Sequence, residues 1–115
     1  MKYVLMTYMK EANWSSLTKA EQQQQGAAYK AYIEALTTAG ALVGNHGLSA
    51  PSGATTVRIV NEKSQVLDGP YADTKEQLGG IFIIDVADLD AAISWAARCP
   101  AAGNGVVEVR ALWGA

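Results

Sequence analysis

Cysteine, histidine and phenylalanine each occur once in the 115 residues, as Cys99, His46 and Phe82, and proline occurs only three times. A single thiol cannot close an internal disulfide, and Cys99 lies in an apolar helical stretch where a buried free thiol is the expected state. That usage fits a reducing, cytoplasmic compartment. With no second His or Cys at ligand spacing, no metal site is expected. Charge is sparse too. Only 17% of the residues are charged, the formal net charge is -2 and no basic run is present, so the attraction that supplies most nucleic-acid affinity is missing. No apolar run reaches the length of a membrane span. The opening stretch, Met1 to Met9, is interrupted by Lys2, Tyr3, Thr7 and Tyr8 and reads as a first strand rather than a signal peptide or an anchor. Gly79-Gly80 lies at a strand entry and lacks a phosphate-loop context, so no nucleotide cofactor is expected.

Half of the residues are hydrophobic, the balance of a globular chain, and the length suits one core, a single domain over residues 1–115. In Lys2 to Met9 the odd positions carry Tyr3, Leu5 and Met9 and the even ones Val4, Met6 and Tyr8, so both faces of this strand need cover. Thr18 with Glu21 three residues on forms a capping box for a helix running to about Ala39, with Gly40 as its stop. Ala28, Tyr32, Ala35, Leu36 and Ala39 make its apolar stripe, widened by Tyr29 and Ile33. Ala41 to Leu48 reads as a strand weakened by Gly44 and Gly47, and Ala50-Pro51-Ser52-Gly53 as a break. Thr55 to Val60 and Gln65 to Leu67 form a hairpin around Asn61-Glu62-Lys63-Ser64, ended by Asp68-Gly69-Pro70.

Leu78 to Val86 is the most apolar strand, with Ile81 and Ile83 on one face and Phe82 and Ile84 on the other. Asp88 caps a second helix whose stripe is Leu89, Ala92, Ile93, Ala96 and Cys99, and Pro100 ends it. Gly103-Asn104-Gly105 reads as a turn. The last strand, Val106 to Leu112, sets Val107, Val109 and Ala111 against Glu108 and Arg110. Strand, helix, strand, hairpin, strand, helix, strand is an α+β, ferredoxin-like βαββαβ plan with an inserted hairpin. Two helices cover one face of such a sheet. The apolar residues on the other face predict a second copy of the chain against it, hence a homodimer.

The densest group of functional side chains is Asp68-Gly69-Pro70-Tyr71-Ala72-Asp73-Thr74-Lys75-Glu76, followed by Leu78-Gly79-Gly80. With Thr55-Thr56-Val57-Arg58 before it and Val107-Glu108-Val109-Arg110 after it, this pattern resembles the DGPF group of the YCII-related proteins over essentially the whole chain. The resemblance implies a bacterial, dimeric α+β barrel in which two ferredoxin-like sheets pack face to face around a cleft. It also implies a group largely without assigned reactions, often neighbouring sigma factors, with a few relatives acting on chlorinated hydroxyquinols. Tyr71 stands where the name-giving pattern has Phe, which keeps the ring and adds a hydroxyl. Relatives proposed to be enzymes pair an acid with a histidine in the first helical region; the Lys19 to Ala39 helix here has none, so that dyad does not carry over.

The residues themselves leave two readings open at each position. Asp68 is a turn former or a general base. His46, between Gly44 and Gly47, is a strand residue with a local hydrogen bond or a proton-transfer group. Asp73, Lys75 and Glu76 are a solvated charged loop or a base, a cation and an acid around a polar ligand. Arg58 and Arg110 are strand residues paired with an acid such as Glu108 or Asp85, or forks for a carboxylate or phenolate. Tyr8 and Trp14 are expected to fill the core rather than wall a pocket. Two functions follow. One is small-molecule binding or catalysis in the barrel cleft, with no cofactor, through Asp68, His46, Arg58, Tyr71, Asp73, Lys75 and Glu76. The other is a non-enzymatic regulatory or interaction role, with a sigma factor as a candidate partner.

Overall fold

The computed structural model describes residues 1–114. Its centre is β1 (Lys2–Met9), which pairs antiparallel with both β5 (Gln77–Asp85) and β6 (Val106–Ala111), while β2 (Leu42–Gly47) closes the far side of β5. The resulting four-stranded order is β2-β5-β1-β6. This is the ferredoxin-like α+β arrangement that the alternation of strands and helices predicts.

The two long helices form where their caps begin. Thr18 accepts from the Glu21 backbone N–H and Glu21 returns a carboxylate oxygen to the Thr18 N–H, which opens α2 (Lys19–Thr38). Its end is marked by Gly40 at φ 70°, a left-handed position natural to glycine. Asp88 accepts from the Ala91 N–H and opens α3 (Leu89–Arg98). Both helices lie on one face of the sheet. Tyr3, Leu5, Phe82 and Ile84 from that face pack with Tyr32, Leu36, Ala92, Ala96 and Cys99 to make the core. Tyr32 packs edge-on to Phe82 at 5.3 Å and donates its hydroxyl to the Trp95 carbonyl at 2.7 Å, tying the two helices together. Burial raises the pKa of Tyr29, to about 12, and also that of Tyr32, with a negative charge on Cys99 a secondary cause for both. Burial also pushes the Cys99 thiol up, against a smaller lowering by a backbone hydrogen bond at Ala101.

Several expectations are corrected. A short helix α1 (Glu11–Ser15) lies between β1 and the first long helix, and a second, α4 (Ala101–Asn104), replaces most of the Gly103-Asn104-Gly105 turn. The hairpin is tighter than predicted: β3 (Thr55–Val60) and β4 (Lys63–Asp68) meet through Asn61 and Glu62 alone, both at positive φ as a type I′ turn requires. Ala28 of α2, Ala39 just past its end, and Leu89 and Ile93 of α3 are exposed, because the shallow sheet reaches only the inner part of each stripe. Trp14, expected in the core, is also exposed, as it sits on α1 beyond the end of the sheet.

The opposite sheet face carries no helix. Val4, Met6 and Tyr8 on β1, with Ile81 and Ile83 on β5, lie there half-buried, and Glu108 and Arg110 form an ion pair at its β6 margin. Hairpin β3–β4 is a separate two-stranded sheet, and Val57, Ile59 and Val66 on one of its faces are each more than 60% exposed. The shape reflects this. The radius of gyration is 16.0 Å, against about 13 Å for a compact chain of this length. The chain measures 48 × 42 × 18 Å, so the hairpin projects in the plane of the slab instead of folding across it. It exposes 7760 Å², where a folded monomer of 12.1 kDa exposes about 6,000 Å².

Candidate functional site

The base of the hairpin is built by three short stretches that converge from different parts of the chain. After β2 the backbone continues in strand register through the Leu48 N–H to Gly79 carbonyl bond, then turns through a 3₁₀ segment, Pro51–Gly53, into β3. The return from β4 is held by Gly69, at φ 100°, whose N–H reaches the Ala54 carbonyl at 2.7 Å and whose carbonyl accepts from the Thr56 hydroxyl at 2.8 Å. Pro70 and Tyr71 then lead into the loop before β5. The Gln77 amide anchors that loop by donating to the Ala72 and Thr74 carbonyls, both at 2.8 Å, while the Thr74 hydroxyl donates to the Glu76 carbonyl.

These stretches enclose a groove of about 520 Å³ walled by Leu48, Pro51, Thr56, Pro70, Tyr71 and Leu78. Arg58 extends from β3 over the Tyr71 ring, 5.7 Å from its centroid, so a cation and an aromatic face stand together at the edge of the groove. Leu48 is two residues beyond His46, and strand alternation puts both on the uncovered sheet face, beside Ile81 and Leu78. Two of the groove's walls, Leu48 and Leu78, therefore lie on that face. Its lining is mixed, with aliphatic and proline walls, one exposed aromatic ring and threonine hydroxyls, and the Arg58 guanidinium stands outside the lining, over that ring. Such a lining suits a flat molecule bearing ring oxygens.

The residues singled out in the sequence are only partly brought together. Arg58 and Tyr71 meet. His46 stands on the open face, exposed, one strand position from the groove wall. Asp68 ends β4 opposite Thr55, and alternation sets it on the hairpin face away from Arg58. No hydrogen bond to its carboxylate is found among the described residues, so the turn there is held by Gly69 and Thr56 rather than by an aspartate cap. Asp73 and Lys75 are exposed on the loop, and Glu76 is half-buried. Arg58 has no acidic partner among the described residues, contrary to the ion-pair expectation, whereas Arg110 does pair with Glu108. Among the described residues no group of three His, Cys, Asp or Glu side chains could hold a metal ion.

Sequence reasoning did not find Leu48, Thr56, Gln77 and Leu78. The first ends the stretch read as a weakened strand, just before the break at Ala50, and the others are ordinary strand residues whose role comes from convergence in space.

Comparison with known proteins places this fold. The YCII-related domain profile matches residues 1–114. The chain belongs to the YCII-related family. An uncharacterized protein of Rhizobium meliloti (strain 1021) is 35% identical over 118 residues, covering 97% of this chain and 92% of that protein. Among solved structures, a 5-chloro-2-hydroxyhydroquinone dehydrochlorinase from Burkholderia phenoliruptrix AC1100, in complex with 2,5-dihydroxybenzoquinone, is similar over 97% of this chain and 93% of that one, with a TM-score of 0.58 and 15% identity. At that identity the YCII-related chain shares the dehydrochlorinase's fold. Among the described residues no helix is long and apolar enough to cross a membrane.

Proposed function

We propose that this YCII-related protein binds, and acts on, a small oxygenated aromatic or carbonyl compound in the groove at the base of β3–β4, as a cytoplasmic homodimer. The observation that carries the reading is the meeting of Arg58 and Tyr71 at the rim of a groove of about 520 Å³. Tyr71 offers its ring for stacking and Arg58 its planar fork for a phenolate or carboxylate oxygen. Asp73, Lys75 and Glu76 on the adjoining loop supply further polar contacts. His46 is the proton-transfer group of this reading, Asp68 being turned to the hairpin face away from Arg58, and the chemistry closest to hand is proton transfer or elimination without a cofactor. A similar fold in an enzyme solved with a dihydroxybenzoquinone supports this ligand class by analogy.

The dimer is supported by surface. The chain exposes 7760 Å², roughly 1,700 Å² more than a folded monomer of its mass, and much of the uncovered sheet face is aliphatic.

The test is calorimetric titration of the purified protein with 2,5-dihydroxybenzoquinone and a small series of hydroxyquinols. Binding that weakens at least about tenfold in Arg58→Ala and in Tyr71→Ala would support the groove; binding unchanged in both would remove it. One observation favours a second reading, a regulatory or interaction protein with a partner such as a sigma factor. Leu89 and Ile93 lie one turn apart on α3, each about half exposed (50% and 49%), on the helical side of the slab. Loss of a co-purifying partner in Ile93→Lys, with ligand binding intact, would support it.

A further inference from the structure

We infer that hairpin β3–β4 is a dimerisation arm that lays its Val57, Ile59 and Val66 face against a second copy of the chain. The inference rests on the homodimer reading above and adds where the subunits grip.

An isolated two-stranded ribbon is marginal in water, because it has no second layer on which to bury its side chains. This one is rich in β-branched residues, and the Val57–Val66 cross-strand pair sits beside Ile59 on a single face. These three side chains are 62%, 65% and 61% exposed. The opposite face is more mixed: Arg58 and Lys63 flank Val60 and Leu67. Neither outer edge of the ribbon is paired with the four-stranded sheet, so its backbone N–H and C=O groups are open as well. A monomer would gain nothing from holding such an element away from its body.

A second copy is the occupant that the surface accounts for. The excess exposure of roughly 1,700 Å² exceeds the 800 Å² or so that each partner gives to a standard interface and falls in the range of obligate dimers. The arm contributes the six residues of that face, Thr55, Val57, Ile59, Ser64, Val66 and Asp68, and the uncovered face of the four-stranded sheet supplies the larger part of the interface. The 18 Å thickness of the chain keeps the arm off its own sheet, so its apolar face is available to a neighbour. A two-fold pair would exchange arms reciprocally, each subunit gripping the other.

Sedimentation velocity of the wild-type protein and of the Val57→Lys/Val66→Lys double variant, over a concentration series, tests this. Both positions are exposed in the single chain, so the body should fold unchanged, which circular dichroism checks. The expected result is a dimeric wild type and a variant whose dimer dissociation constant rises at least about thirtyfold. A variant that dimerises as well as the wild type overturns the arm while leaving the homodimer standing. A wild type that stays monomeric at high micromolar concentration overturns both. A variant that dimerises normally but no longer binds 2,5-dihydroxybenzoquinone makes the hairpin a lid over the groove and also overturns the inference. Hydrogen exchange gives an independent reading on the wild type: amides of residues 55–68 should gain protection as concentration rises, and concentration-independent protection would count against the arm.

Discussion

Ile84 and Ile59 are the same residue in the same kind of secondary structure, and they have opposite fates. Ile84 on β5 is fully buried, whereas Ile59 on β3 is 65% exposed. The four-stranded body and the hairpin arm differ in the same way throughout. The body has two helices to cover one face of its sheet, and the arm has nothing in its own chain. An apolar strand thus records only that something must cover it; the topology decides whether that cover is a helix of the same chain or lies outside it.

The contrast can be broken most directly by truncation. Ile84→Ala should cost about 2–5 kcal/mol in urea unfolding, since a fully buried side chain is lost with little room to collapse. Ile59→Ala, at dilution, should stay within about 0.5 kcal/mol of wild type. An equal loss at the two sites would erase the distinction. The helix layer that makes the difference also carries a pH signature. Tyr29 rises from its ordinary 10.0 to about 12 through burial, and Tyr32 and Cys99 also rise for the same leading cause. Groups that hold their protons more tightly when folded support the fold fully below their unfolded values, and that support is lost as pH rises through the folded ones. Thermal unfolding should therefore be flat across the neutral range with respect to these groups and fall steeply above about pH 10. Tyr29→Phe should blunt the fall, and an identical profile in that variant would remove Tyr29 from the account.

Smaller effects sharpen the picture. Thr18→Ala removes one half of the capping box on α2 and should cost about 1 kcal/mol, read by thermal or urea melts of the body. Arg58→Ala should change stability little, by no more than about 1 kcal/mol, because its contact with Tyr71 is exposed. A large stability loss in this variant would mean that the pair is part of the scaffold rather than the rim of a ligand groove.

Much of the body was legible in sequence because its signals are local. Thr18 and Glu21 announce one helix, Asp88 another, and the alternation of Phe82 and Ile84 against Ile81 and Ile83 gives β5 its two faces. The misses have physical reasons. Glu62 at φ 66° is not a residue one reads as a left-handed turn position, so the hairpin appeared looser than it is. Leu89 and Ile93 belong to a helical stripe by spacing, but a sheet four strands wide reaches only Ala92 and Ala96. The groove was the least legible part. Its motif residues, Pro70 and Tyr71, stand out, while Leu48, Thr56 and Leu78 become neighbours only when β2, β3 and β5 converge. Strand parity also separates Asp68 from Arg58, a separation that their shared stretch of sequence conceals.

The place of β1 at the middle of the sheet has a consequence for how the chain comes to be folded. Both of its pairing partners, β5 and β6, lie in the last third of the sequence, with Lys2 opposite Asp85 and Tyr3 opposite Ala111. The first strand to leave the ribosome is therefore the one that waits longest for its neighbours. Until Gln77–Asp85 has been synthesised both edges of this apolar ribbon are open, and one stays open until Val106–Ala111 follows, whereas α2 and the β3–β4 hairpin can form early through local contacts. Closure of the sheet is then a late, long-range event, and the interval before it is when the chain is most exposed to aggregation.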